Sequence, residues 1–184
     1  MAALKFRILL DTEKENEVFR DIIINEDDNF ESLYNAIVSA FNFQGDQMAS
    51  FYISNDDWDK GHEISLMDMN YGDESINEVA AVMSAANLRD FMEKEDQKII
   101  LVYDFLRMWI FLIELVERQE ENVAAPIVSF SIGMAPPEDS RIVAGEDDDD
   151  LFGSDDLDSE DDDEFDFEDG YDDEDLSEYN EYDY

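Results

Sequence analysis

Two consecutive runs near the middle of the chain, residues 98–105 and 108–116, are apolar on both of the faces that a strand presents. Strands apolar on both faces belong in the interior of a covered sheet, whereas strands with one polar face can lie against solvent. Asp104, Arg107 and Glu114 interrupt this region, so it lacks the ~20 nearly uncharged residues that span a bilayer. We therefore predict central strands of a sheet covered by a helix, and no membrane span.

Alternation and helical spacing place the elements that precede these runs. Residues 4–10 follow the period of two that is typical of a half-buried strand, and residues 18–24 form a β-rich run that can pair with them as a hairpin. Residues 30–41 change to helical spacing, with an apolar face made of Phe30, Leu33, Tyr34, Ile37 and Phe41. Asp28 followed by Glu31 resembles a capping box, so we expect the helix to begin there.

The remaining elements are shorter. Residues 48–53 and 127–132 are predicted strands, and a weaker strand pattern covers residues 63–66. A loop is expected around residues 70–73, and a helical turn is expected to carry Leu88, Phe91 and Met92. We predict an α+β fold, with a mainly antiparallel sheet of about six strands, one clear helix from Phe30 to Phe41 packed on it, and a second short helix.

The charge of the chain divides it into two parts. Residues 1–137 carry 10 Lys and Arg against 27 Asp and Glu, whereas residues 138–184 carry one Arg against 25. The second part consists largely of Asp, Glu, Ser and Gly with isolated aromatic residues, and it cannot bury enough apolar surface to offset the entropy cost of ordering. We therefore predict a folded domain over residues 1–140 and a disordered acidic tail over residues 141–184.

Few residues are candidates for catalysis or metal binding. The chain has no cysteine and one histidine, His62, which we interpret as a loop residue. No phosphate-binding, dinucleotide-binding or nucleophile-elbow motif occurs, and neither Gly153 nor Gly170 completes an EF-hand register. We expect no cofactor, no metal and no catalytic residue. Lys5 and Arg7 interrupt the apolar N-terminus, so we predict no signal peptide and a cytoplasmic location.

Two motifs resemble those of a known family. The motif residues are Tyr103, Asp104, Phe105 and Trp109, followed by Pro136, Pro137, Glu138 and Asp139. Together with the order strand, strand, helix, strand, they resemble the Tyr-Asp-Phe-Gly-Asp-x-Trp-x-His and Pro-Pro-Glu-Asp motifs of the plasmid pRiA4b ORF-3-like family, whose members are often labelled transposon-passenger, resolvase-like (TnpR) proteins. The resemblance covers about residues 3–140 and excludes the tail.

The chain departs from the family motifs at several polar positions. Leu106, Arg107 and Phe111 stand where the family has Gly, Asp and His, and Gln47 and Ala49 stand where it has a His-x-His pair. The resemblance therefore implies that a histidine and carboxylate site, if the family has one, is not retained by this chain. Nothing in the chain resembles the serine nucleophile and arginines of a recombinase.

The retained motif residues have a structural interpretation. Tyr103, Phe105 and Trp109 are expected to pack in the core, because they lie within strands apolar on both faces. A carboxylate in an apolar hairpin needs a partner, and Arg107 is the nearest candidate for Asp104. The alternative is that Asp104 marks a binding cleft.

These observations favour a non-enzymatic interaction or accessory protein of the bacterial cytosol, whose folded domain holds an unknown protein partner. The acidic tail would add contacts to a basic partner, or would serve solubility alone. An alternative is a mobile-element accessory protein that contacts nucleic acid or a nucleoprotein complex, although scattered Lys and Arg disfavour direct nucleic-acid binding. A third hypothesis is a degenerate enzyme that uses Tyr103, Asp104 and Glu138 in a cleft.

Overall fold

Eight strands of the described chain join into one sheet. The structure is a computed structural model that describes residues 2–12, 15–68 and 81–141, all within the compact unit Met1–Asp148. The predicted loop at residues 70–73 and the predicted tail beyond Arg141 lie outside the described residues. The elements, in chain order, are β1 Ala3–Leu10, β2 Phe19–Asn25, α1 Phe30–Ala40, β3 Ala49–Ser54, β4 Lys60–Ser65, β5 Ala81–Val82, α2 Leu88–Phe91, β6 Lys98–Tyr103, β7 Trp109–Gln119, β8 Ile127–Ile132 and a 3-10 turn at Glu138–Ser140.

The strands lie in the order β5-β4-β3-β6-β7-β1-β2-β8. The two runs that are apolar on both faces form β6 and β7 in the interior of the sheet, as predicted, and β1 pairs with β2 as the predicted hairpin. The described pairings are antiparallel except the short parallel one between β4 and β5. The predicted α+β fold is confirmed, with eight strands rather than about six. The weak pattern at residues 63–66 corresponds to β4, which is longer, and the two-residue β5 is the strand that no pattern predicted.

Helix α1 covers one face of the sheet. It ends one residue before the predicted Phe41, which is its buried C-cap, and its own buried side chains are Phe30, Leu33, Tyr34, Ile37 and Val38. The N-cap is Asn29 rather than Asp28: the Asn29 side-chain oxygen accepts a 2.9 Å hydrogen bond from the Ser32 amide. The predicted capping box is therefore wrong by one residue, because Asn caps a helix as well as Asp does.

The opposite face of the sheet is not covered by a helix among the described residues, and it carries charged pairs. Arg7 of β1 donates two 2.9 Å hydrogen bonds to the carboxylate of Asp21 on β2, whose side chain is 2% exposed. Lys5, on the same face of β1, lies 4.0 Å from Glu117. The hydrophobic core therefore lies between α1 and the sheet.

Two residues differ from their predicted environments. His62 lies in β4 rather than in a loop, and its ring stacks on that of Phe91 with centroids 5.8 Å apart. Phe105 is 41% exposed rather than packed in the core, because β6 ends at Tyr103 and the chain turns at Asp104.

The predicted helical turn at residues 88–92 is confirmed as α2. No helix within the described ranges has the length and apolar character needed to cross a membrane.

Candidate functional site

The motif residues meet at the end of the sheet where β6 turns into β7. Asp104 and Met108 have positive φ angles of 59° and 56°, which close this turn tightly. Asp104 Oδ1 accepts hydrogen bonds from the amides of Leu106 (3.0 Å) and Arg107 (3.1 Å), and its other oxygen lies 3.6 Å from the Arg107 guanidinium. The expected pairing of Asp104 with Arg107 is confirmed, and the carboxylate also organises the turn.

Glu138 joins this end of the sheet to the loop after α1. The Tyr103 hydroxyl donates a 2.5 Å hydrogen bond to Glu138 Oε1 and accepts one of 3.0 Å from the Gly45 amide. Glu138 Oε2 accepts a 2.8 Å hydrogen bond from the Gln44 amide. Both carboxylate oxygens of Glu138 thus bind groups of the same chain.

Further contacts fasten the segment that follows β8. The indole N–H of Trp109 donates a 3.0 Å hydrogen bond to the Glu138 carbonyl, and the Arg107 Nε donates one of 3.0 Å to the Arg141 carbonyl. The Arg141 guanidinium lies over the Trp109 ring, 5.2 Å from its centroid. We call Tyr103, Arg107, Trp109, Glu138 and Arg141 the clasp, because together they hold residues 138–141 against the end of the sheet.

Burial keeps two phenols neutral, that of Tyr103 in the clasp and that of Tyr34 beside it. Burial raises the pKa of Tyr103, and the hydrogen bond to Glu138 raises that pKa further. Burial, with the negative charges of Glu138 and Asp46, raises the pKa of Tyr34 to about 12. Among the described residues the buried Tyr34 hydroxyl has no hydrogen-bond partner, and its ring centroid lies 6.3 Å from that of Tyr103. Neither phenol is activated as a base or nucleophile near neutral pH.

The structure brings some of the motif residues together and separates others. Tyr103, Trp109 and Glu138 share one cluster, whereas the Asp104 carboxylate is directed to the Leu106 and Arg107 amides of its own turn. Asp139 is exposed in the 3-10 turn. The Pro137 carbonyl accepts hydrogen bonds from the amide and hydroxyl of Ser140, which form that turn, and Pro136 precedes it half-buried.

The positions at which the chain departs from the family motifs lie beside the clasp. Ala49 is the strand partner of Tyr103, and the Met48 carbonyl, next to Gln47, accepts a 2.9 Å hydrogen bond from the Asp104 amide. Phe111 is fully buried, with its ring 5.7 Å from that of Phe43. Gln47, Ala49 and Phe111 therefore place neutral or apolar groups at these positions, whereas Arg107 places a charged group that pairs with Asp104. Within residues 2–12, 15–68 and 81–141, no group of three or more His, Asp and Glu side chains could hold a metal ion.

A second feature escaped the sequence patterns. A groove of about 530 Å³ runs between α1 and β8, with Ile22 of β2 at its floor. Small side chains of α1 form one wall, and Pro126, Ile127 and Val128 form the other. The one sequence signal that points to this groove is the absence of charged residues from β8.

The fold and the clasp define an α+β protein in which one helix covers a mainly antiparallel sheet and the segment after the last strand is fastened to the sheet end. Residues 2–179 match the family model described as Plasmid pRiA4b ORF-3-like protein, so the chain belongs to this family. The family resemblance of the motifs is thus confirmed, and the match extends past residue 140.

The fold is similar to that of a solved structure. It is the crystal structure of a protein of unknown function, MM3350, from Methanosarcina mazei Go1, with a TM-score of 0.60 and 20% sequence identity over 76% of this chain and 74% of that chain. At this identity the likeness extends to the fold alone. A comparison with curated proteins finds no match.

Proposed function

We propose that this protein is a non-enzymatic interaction protein of the cytosol. Its folded domain holds a protein partner, and its acidic tail adds contacts to basic groups of that partner. The observation that carries this proposal is that the polar groups of the clasp form hydrogen bonds within the chain. The side chains of Glu138, Tyr103 and Trp109 bind one another or the backbone, so this polar cluster serves to position a chain segment.

The same contacts count against the degenerate-enzyme hypothesis. General acid–base catalysis needs a group that can exchange a proton with substrate near the working pH. The phenols of Tyr103 and Tyr34 are held neutral by burial, and Asp104 is engaged by two turn amides and Arg107. A catalytic role for Tyr103, Asp104 and Glu138 would require these contacts to break.

The charge distribution supports a basic protein partner over nucleic acid. Phosphate binding draws on free, clustered Lys and Arg. The six arginines of this chain are engaged instead: Arg7, Arg89 and Arg118 pair with carboxylates, Arg20 and Arg107 donate to carbonyls, and Arg141 lies over Trp109. The net charge of −41 would repel a phosphate backbone and attract a basic surface.

Affinity capture from lysate with two full-length proteins tests the proposal. One is the natural chain, and in the other the Asp and Glu residues of 146–175 are replaced by Asn and Gln. We expect the natural chain to retain protein partners that are lost or weakened in the neutralised chain, and that dissociate as salt is raised. Identical partner lists would remove the role of the tail. DNA retardation at low salt by the neutralised chain would favour the mobile-element alternative.

A further inference from the structure

Strand β8 is an open edge of the sheet. It pairs with β2 on one side and has no strand on the other among the described residues. Its sequence, Ile-Val-Ser-Phe-Ser-Ile, carries no charge, and its four large apolar side chains are 41–50% exposed. Such an edge presents unpaired backbone N–H and C=O groups together with apolar surface, which is the arrangement to which an additional strand binds.

The two edges of the sheet differ in how they are protected. At the other edge β5 consists of two residues, and a short edge strand is one of the devices that prevent unwanted pairing. β8 has six residues and neither Lys nor Pro within it. Its pairing with β2 has a bulge between Asp21 and Ile22, and the residues opposite these two, Phe130 and Val128, are exposed. β8 therefore lacks the charged residue that could prevent a further strand from pairing with it.

The groove between α1 and β8 gives this edge a place for side chains. The wall formed by α1 includes Ser32, Ala36 and Ser39, so the space beside Val128 is not filled by the protein itself. Arg20 closes one end, because its guanidinium donates to the carbonyls of Ile132 on β8 and Ala40 of α1. A strand added to β8 would place alternate side chains on the groove side and the others on the opposite face.

Acidic residues flank the uncharged strand at both ends. Glu120 and Glu121 are exposed in the connection that leads into β8. Glu15 and Glu17 are exposed in the connection between β1 and β2, and the Glu17 carbonyl lies against Gly133, the residue that follows β8. The sequence from 119 to 140 contains no Lys or Arg. The edge therefore matches a segment that is apolar at its centre and basic at its ends.

We propose that β8 binds an extended segment of a partner protein as a ninth strand. The segment has apolar side chains at alternate positions and Lys or Arg at both ends. This inference rests on the proposed function and identifies where the folded domain holds its partner. A second copy of this chain fits less well, because pairing two β8 strands would bring together two chains that each carry a net charge of −41.

Peptide binding to the full-length protein tests the inference. The probe is the labelled peptide Lys-Lys-Val-Thr-Val-Thr-Val-Lys-Lys, measured by fluorescence anisotropy. A second peptide has Pro in place of the central Val, which keeps the charge and removes a backbone donor. We expect the proline peptide to bind at least about tenfold more weakly, because strand addition depends on backbone hydrogen bonds. Electrostatic capture by the tail would bind the two peptides equally and would overturn the inference.

Two variants with matched controls locate the binding. Ser39→Trp fills the groove from an exposed position of α1, and Glu95→Trp places the same side chain before β6, which three strands separate from β8. Glu120→Lys/Glu121→Lys reverses the charge at one end of β8, and Glu93→Lys/Glu95→Lys makes the same change in net charge elsewhere. We expect only the first variant of each pair to weaken binding, by about threefold or more. Circular dichroism checks that all four fold.

Amide chemical shifts of the labelled full-length protein give an independent readout. We expect peptide-induced changes in β8, β2 and α1. Failure of the probe peptide to bind, or changes confined to other regions, would overturn the inference. Light scattering would also overturn it if the natural chain is a dimer and the Ser39→Trp variant is a monomer, since β8 would then pair with a second copy. If the peptide test fails but the proteins captured from lysate still depend on the acidic tail, the proposed function remains and only the binding site at β8 is removed.

Discussion

The Tyr103 hydroxyl lies between Glu138 Oε1, to which it donates at 2.5 Å, and the Gly45 amide, from which it accepts at 3.0 Å. Tyr103 is fully buried, so its removal leaves the carboxylate and the amide without this partner. Hydrogen bonds to a charged group are stronger than neutral ones. We expect Tyr103→Phe to lower the free energy of unfolding by about 1–3 kcal/mol, measured by urea denaturation of the full chain.

Asp139→Asn is the matched control for this substitution. Asp139 is next to Glu138 in the 3-10 turn but is exposed. Its replacement should change the free energy of unfolding by less than about 0.5 kcal/mol. Equal losses in the two variants would mean that the clasp is not held by the Tyr103 hydroxyl.

Tyr34→Phe should not destabilise the protein, unlike Tyr103→Phe, although both remove one buried hydroxyl. The Tyr34 hydroxyl has no hydrogen-bond partner among the described residues, so its burial is an uncompensated desolvation cost. Phe keeps the ring and removes that cost. We expect the free energy of unfolding at neutral pH to stay unchanged or to rise by up to about 1 kcal/mol in the same urea assay. A loss as large as that of Tyr103→Phe would show that Tyr34 has a bonding role.

Alkaline pH should destabilise the protein through the same two residues. Burial raises the pKa of Tyr34 to about 12 and also raises that of Tyr103, whereas an unfolded Tyr titrates near pH ~10. A raised folded-state pKa gives stability that is fully present below the unfolded pKa and is lost as pH rises through the folded one. We expect the urea midpoint to fall above pH ~10 and the fall to be smaller in Tyr34→Phe. An equal fall in both proteins would contradict this assignment.

The parts of the fold that follow from local patterns could be predicted from the sequence. The spacing of Phe30, Leu33 and Ile37 defines α1, and the apolar runs of β6 and β7 define the centre of the sheet, because these periods are set within a few residues. The cap at Asn29 was missed by one residue, because neighbouring Asp and Asn side chains are chemically equivalent as caps.

The clasp and the groove could not be predicted in the same way. Gln44 and Glu138 are 94 residues apart, and the link between them is a backbone amide, which every residue other than proline carries. The groove depends on how α1 lies relative to β8, and the residue pattern within either element does not predict how the two elements pack. Likewise Phe105 has the composition of a core residue, but its exposure follows from the turn at Asp104.

The Arg7–Asp21 pair should contribute more to stability than its exposed neighbour on the same face. Asp21 is almost fully buried and receives both hydrogen bonds from Arg7, so Arg7→Ala leaves a buried carboxylate without its counter-charge. We expect a loss of about 2–3 kcal/mol in the free energy of unfolding. Lys5→Ala, which removes the 4.0 Å partly exposed pair with Glu117, should cost less than about 1 kcal/mol. Similar losses in the two urea titrations would refute the assigned difference.

Gly133 fixes the end of β8 because no other residue fits its position. Its φ is +75°, and a Cβ atom there would lie 2.4 Å from the Glu17 carbonyl oxygen and 3.1 Å from the Val18 Cα, both of them backbone atoms. Gly45 also has φ +75°, but its nearest contact for a Cβ is 3.4 Å from a Val38 methyl. Both alanine variants carry the strain of a positive φ, worth about 1 kcal/mol, and only Gly133→Ala adds a backbone clash. We expect Gly133→Ala to lose at least about 2 kcal/mol more than Gly45→Ala in thermal and urea unfolding.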